Sequence, residues 1–93
     1  MVVATVRVEL HVPEAGSLKA KRSVIASLKG RIRSRFNVSV AEVDHLDLWQ
    51  RSSIGVAFVT NDRRFADEVL SKVVDLISSE PRLQLLDYRI EFL

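Results

Sequence analysis

Residues 5–36 read TVRVELHV (Thr5–Val12), PEAG (Pro13–Gly16) and SLKAKRSVIASLKGRIRSRF (Ser17–Phe36), and the fold is decided here because the apolar period changes within the stretch. In the first block Val6, Val8, Leu10 and Val12 alternate with Thr5, Arg7, Glu9 and His11, the pattern of a strand with one buried side. Pro13 to Gly16 breaks that strand. Ser17 then offers a hydroxyl as N-cap to a helix running to about Phe36, with Leu18, Val24, Ile25, Leu28, Ile32 and Phe36 as its apolar stripe.

Outward from this unit the chain runs strand, strand, helix, strand. Val38 to Trp49 is rich in β-branched residues, but its apolar phase moves from Val38 and Val40 to Ala41 and Val43, then to Leu46 and Leu48, which predicts a second strand with a bulge or bend. Gln50 to Ser53 reads as a polar turn and Ile54 to Val59 as a third strand. Thr60, Asn61 and Asp62 are cap candidates for a second helix. Its buried face is expected to be Phe65, Val69, Leu70, Val73, Leu76 and Ile77, and Glu80 and Pro81 end it. Leu86, Tyr88, Ile90 and Phe92 alternate with Asp87, Arg89 and Glu91 in a last strand. The order βαββαβ, with one hairpin and two helical crossovers, predicts an α+β chain of ferredoxin-like type. It would have a four-stranded antiparallel sheet, two helices on one face, and strands one and three central.

The chain has 93 residues, a length that suits one domain over residues 1–93. Hydrophobic residues make up 47% and charged residues 28%, which excludes a disordered chain. With no cysteine there is no disulfide and no thiolate metal site, which agrees with a cytoplasmic protein. The chain begins directly in a strand pattern, so no signal peptide is expected, and no apolar run reaches the roughly 20 residues that cross a bilayer.

Charge is distributed unevenly. From Ala15 to Ala41 there is no acid, while Lys19, Lys21, Arg22, Lys29, Arg31, Arg33 and Arg35 are seven of the fourteen basic residues; the rest of the chain sets seven bases against twelve acids. A net charge of +2 thus conceals a strongly positive element in an acidic frame. At about 100° per residue, Lys19, Arg22, Lys29 and Arg33 border the apolar stripe on one side, and Arg31 and Arg35 on the other. Ala20, Ser23, Ser27, Gly30 and Ser34, all small, form the outermost line. Small residues between basic margins admit a phosphate backbone, so a nucleic-acid partner is expected.

Two structural readings compete with that one. Basic side chains lay their methylenes over a core edge, and Asp67, Glu68 and Asp75 of the second helix offer pairing partners. The helix dipole separates the cations. Arg31, Arg33 and Arg35 lie near the C-terminal end, where positive charge is favourable; Lys19, Lys21 and Arg22 lie in the first turns, where it is not. Charges placed against local preference point to function, so these three lead a candidate nucleic-acid-binding set of Lys19, Lys21, Arg22, Lys29 and Arg33.

Other clusters carry less. Glu42, Asp44, His45 and Asp47 crowd one strand, but alternation splits them between faces, so no metal is expected. His11 and His45 have no nucleophile at triad spacing, and no glycine-rich phosphate loop is present, so neither an enzyme nor a cofactor or small-molecule substrate is expected. The loop Pro13 to Gly16 also lacks the Arg that an acylphosphatase places after its first strand. Ile54 to Val59 resembles part of the RNA-recognition-motif signature without its leading basic residue and first aromatic, and Ile54, Val56 and Phe58 are expected to face the core. Arg7, Glu9, Asp87, Arg89 and Glu91 are expected on the opposite face as a salt-bridged surface. Trp49, Gln50 and Arg51 sit at the hairpin. Trp49 either caps the core or, with Arg51, anchors a partner or a second copy.

Two blocks, Ser17-Leu18-Lys19-Ala20-Lys21-Arg22 and Phe36 to Asp44, continuing through Asp47-Leu48-Trp49-Gln50-Arg51, resemble the YlxP-like family of small bacterial proteins of unknown function. The likeness covers nearly the whole chain. It implies a ferredoxin-like fold and a cytoplasmic bacterial protein whose gene often neighbours those for translation initiation and ribosome maturation. It implies no activity and transfers no catalytic residue. The expected function is a non-catalytic RNA- or ribosome-associated module working through the first helix, the alternative a homodimeric protein-interaction module.

Overall fold

The computed structural model describes all 93 residues, in the order β1 (Val2–His11), α1 (Leu18–Arg35), β2 (Ser39–Asp44), β3 (Arg51–Thr60), α2 (Arg63–Ser78) and β4 (Gln84–Phe92). The sheet runs β2-β3-β1-β4, all neighbours antiparallel, with β1 and β3 central as the sequence predicts. This is the ferredoxin-like α+β arrangement. Ala4, Val6, Val8 and Leu10 of β1 and Ile54, Val56 and Phe58 of β3 supply the sheet side of the core. Ile25, Leu28 and Ile32 of α1 and Ala66, Leu70, Val73 and Ile77 of α2 close over it. No helix is long and apolar enough to cross a membrane.

Capping chemistry begins both helices. The Ser17 hydroxyl accepts the Ala20 N–H at 3.0 Å, and the Asp62 carboxylate accepts those of Arg64 and Phe65 at 3.0 and 3.3 Å. Asp62 is therefore the cap among its three candidates. The buried face of α2 differs from expectation at its start, where Phe65 is about half exposed and Ala66 takes the inward position. Phe65 instead leans on Phe58 at the rim, ring centroids 5.9 Å apart.

The hairpin is also corrected. Arg51 to Ser53 belong to β3, and the turn lies earlier, from His45 to Gln50. Serines read as a turn from composition, yet Ser52 and Ser53 are fully buried because each hydroxyl has a carboxylate to donate to, Glu42 and Glu9 respectively. The phase shift in β2 is a bulge. Glu42 pairs with Ile54 and Asp44 with Ser53, leaving Val43 outside the register. Val43 folds over Gly55, where an added Cβ would meet its Cγ1 at 3.0 Å. A second bulge omits Leu86 from the β1–β4 ladder, so Leu83 and Leu85 face the core and Leu86 is half exposed.

Glu80 ties the layers together just beyond α2. Its nearly buried carboxylate accepts from Arg31 of α1 at 2.6 Å and from Arg82 at 2.8 Å, and also takes the Arg82 backbone N–H at 3.1 Å. The Arg82 hydrogen bonds hold this carboxyl down at about 2 against the opposing effect of burial, and Arg31 adds to them. Because the folded group titrates below its ordinary value of 4.5, its stabilisation is complete above that value and lost as pH falls towards about 2. Both arginines end in water, which limits the effect to about 2 kcal/mol. Urea unfolding of the wild type and Glu80→Gln at pH 7 and pH 2.5 should show the gap between them closing at the lower pH. An unchanged gap would refute the assignment.

A buried lysine and a candidate anion-binding margin

The first helix separates its cations by where each side chain ends. Lys21 points inward beside Ile25, Leu28 and Ile32 and is 0% exposed. Its ammonium donates to the carbonyls of His45 at 2.7 Å, Leu46 at 3.2 Å and Arg51 at 3.3 Å, and lies 3.0 Å from Glu42 Oε2. Glu42 also accepts the Ser52 hydroxyl at 2.7 Å. The Val43 bulge creates this arrangement, since it leaves Glu42 opposite Ile54 on the helix side while Asp44 turns to Arg7 on the open face.

Lys21 is therefore removed from the anion-binding set. Its position in the first turns opposes the helix dipole because the β2–β3 connection needs it there. His45 has a φ of 60°, its N–H taken by Asp44 Oδ1 at 2.8 Å, and the chain reversal turns the His45, Leu46 and Arg51 carbonyls towards the ammonium, the first of them also accepting the Leu48 N–H at 3.1 Å. One ammonium satisfies them and the Glu42 carboxylate together. Charge counting along a helix does not distinguish a lysine that ends in water from one that ends on carbonyls. The available signal was Glu42, the first acid after the acid-free stretch, at a predicted bulge.

The other candidates stay at the surface. Lys19 and Arg22 are exposed, Lys29 is half-buried, and none of the three is within ion-pair distance of a carboxylate. Arg33 is exposed, with one Nη2–H given to the Val40 carbonyl of β2 at 3.1 Å. Arg22, Lys29 and Arg33 thus run along the side of α1 that overhangs β2, a line of about 16 Å at 1.5 Å per residue. Arg31, on the other side, is neutralised by Glu80. Pairing between helices was expected through Asp67, Glu68 or Asp75. None of these forms an ion pair; the one bridge from α1 in that direction is Arg31 to Glu80, just beyond α2.

Trp49 is 54% exposed, so it does not cap the core. Its segment is nevertheless held firmly. Lys21 grips both flanks, and Gln50 donates to the Pro13 and Ala15 carbonyls at 3.1 and 3.4 Å. Arg51 is half-buried; its carbonyl is an acceptor of Lys21, and its Nε is buried without a partner. Leu46, Leu48 and Trp49 are presented together as large exposed apolar groups. On the open face Glu9 is held below its usual range, where the Ser53 hydroxyl and Arg7 outweigh burial.

Residues 3–90 match the family model described as a protein of unknown function, DUF503. The chain belongs to that family. It is also 37% identical over 84 residues to the uncharacterized protein YlxP of Bacillus subtilis (strain 168), covering 90% of this chain and 91% of that one.

Substituting Lys21 tests the buried pair. Lys21→Met leaves the Glu42 carboxylate without its cation and takes a donor from three carbonyls, and should cost about 3 to 5 kcal/mol in urea unfolding. Combining it with Glu42→Leu should recover part of that loss, since the uncompensated charge disappears. Additive losses in the double variant would mean that the two side chains do not interact.

Proposed function

We propose that the chain is a non-catalytic, cytoplasmic RNA-binding module, acting on ribosomal or free RNA, with Lys19, Arg22, Lys29 and Arg33 as its phosphate contacts. The observation that carries this reading is the contrast between paired and unpaired cations. Lys21, Arg31 and Arg82 are matched with carboxylates, whereas these four, and Arg35 alone on the other side of α1, have none. Together they form a one-sided positive strip on a rigid helix, flanked by the small residues Ala26 and Gly30. Such a strip attracts a polyanion over a distance and holds it by counterion release. It reads no bases by itself, so the expected binding is tolerant of sequence.

Four neutralised phosphates on a single strand give a slope of log affinity against log salt of about −2.8. Fluorescence anisotropy with a labelled single-stranded RNA should return that slope, and Lys19→Glu/Arg22→Glu/Lys29→Glu should weaken binding at least about tenfold at 0.1 M salt. Arg63→Glu/Arg64→Glu, on the N-terminal turn of α2, serves as the control and should bind nearly as well as wild type. Binding that ignores salt, or that survives reversal on α1, would sink the reading.

A further inference from the structure

The two edges of the sheet are not equivalent. On β2, Arg33 occupies the Val40 carbonyl, the Val43 bulge interrupts the ladder, and the strand stops at Asp44 before the positive φ of His45. These are devices that blunt an edge. Strand β4 offers nine residues, its own bulge confined to Leu86 near the start, and its Tyr88 N–H turns away from β1 to its neighbour's Asp87 Oδ1 at 2.8 Å. By the antiparallel pattern the Tyr88 carbonyl faces outward as well. Tyr88 is 48% and Leu86 50% exposed along this edge.

The charges of β4 conflict with the strand they pair with. Asp87 lies directly opposite Glu9 and Arg89 directly opposite Arg7, like against like in two successive pairs, which costs stability in a sheet. Arg7 finds its partners elsewhere, in Glu9 at 3.1 Å and Asp44 at 3.1 Å. Arg89 has only Glu91 at 3.6 Å, with both side chains mostly in water. The order Asp87, Arg89, Glu91 is thus mismatched to β1 but complementary to itself when reversed.

We propose that β4 pairs antiparallel with β4 of a second copy about a two-fold axis at Tyr88, joining the two sheets into one of eight strands. In this register Tyr88 faces Tyr88 of the second copy, Asp87 faces Arg89 on both sides of the axis, and Leu86 faces Ile90. Both half-exposed apolar side chains are covered. An axis at Arg89 would set Arg89 against itself and Asp87 against Glu91, and an axis at Asp87 would oppose two aspartates. An axis at Ile90 would set Tyr88 on Phe92, whose ring is already covered by Arg63 at 4.1 Å, and leave Leu86 outside. The pairing is isologous and consumes both β4 edges. With β2 guarded, it closes as a dimer instead of growing into a fibre.

The absence of cysteine makes the register testable with one substitution. Opposed residues of an antiparallel pair have Cα atoms about 5.5 Å apart, within disulfide range, so Tyr88→Cys should cross-link into a dimer under mild oxidation. Val59→Cys, exposed on the open face, should not. Sedimentation equilibrium gives the second arm. Asp87→Arg should weaken the wild-type dimer at least tenfold, while Asp87→Arg/Arg89→Asp should restore it. Neither change threatens the fold, because Arg at 87 would face Glu9 and Asp at 89 would face Arg7. A wild-type monomer at about 0.1 mM, equal cross-linking at Val59, or a dimer indifferent to Asp87→Arg would each overturn the proposal.

Discussion

The Lys21 ammonium is the interaction on which the rest of this small structure depends. It is the one point where the start of α1, the end of β2 and the start of β3 are joined through side-chain chemistry, by three carbonyls and the Glu42 carboxylate. A buried ion pair is not stabilising merely because it is buried, since desolvating both charges offsets most of the attraction. Its value lies in what else would satisfy those groups. Burying a carboxylate and inward carbonyls without a donor is costlier than burying a lysine that meets all of them. The bulge, the positive φ at His45 and the exposed apolar loop are tolerated because this donor is present.

That constraint reorganises the charge of the first helix. Seven cations without an acid among them look like one patch in the sequence, but the fold assigns them different tasks. Lys21 holds the hairpin, Arg31 shares Glu80 with Arg82, and Arg33 covers a carbonyl of the β2 edge. What remains in water is Arg35 on the other side and a narrower strip of Lys19, Arg22 and Lys29 on the β2 side. The dipole argument fails for Lys21 for an instructive reason: an unfavourable local position marks a demand made elsewhere in the molecule, and here the demand was structural.

Periodic features were legible in the sequence and compensated polar groups were not. Alternation in β1, the stripe of α1 and the βαββαβ order follow from apolar spacing alone, and the bulge in β2 from a break in that spacing. The order of the sheet then followed from connection rules. Ser52 and Ser53 were misread because a serine in a strand depends on a carboxylate 10 or 44 residues away. Glu80 closed the second helix on paper, but one of its two arginine partners, Arg31, lies 49 residues away on α1, a contact that no local pattern encodes. The same holds for Lys21. A long cation is ambiguous in sequence because its stem is apolar and its end is not, and only the acceptors decide where it points.

The proposed phosphate-binding strip and the proposed dimer edge lie at opposite sides of the sheet, and this bears on whether they can coexist. Lys21 and Arg33 bind the hairpin and β2, so the basic margin overhangs β2, three strands away from β4. In an eight-stranded sheet joined at β4 the two β2 edges are outermost, about 34 Å apart at roughly 4.8 Å per strand. That is several times the Debye length of about 8 Å at physiological salt, so the two positive margins scarcely repel each other. Association through the small-residue ridge of α1 would bring those margins together instead. In the proposed β4 dimer the molecule would pair without opposing its own strongest charge, with the two proposed strips facing outward, one at each end of the joined sheet.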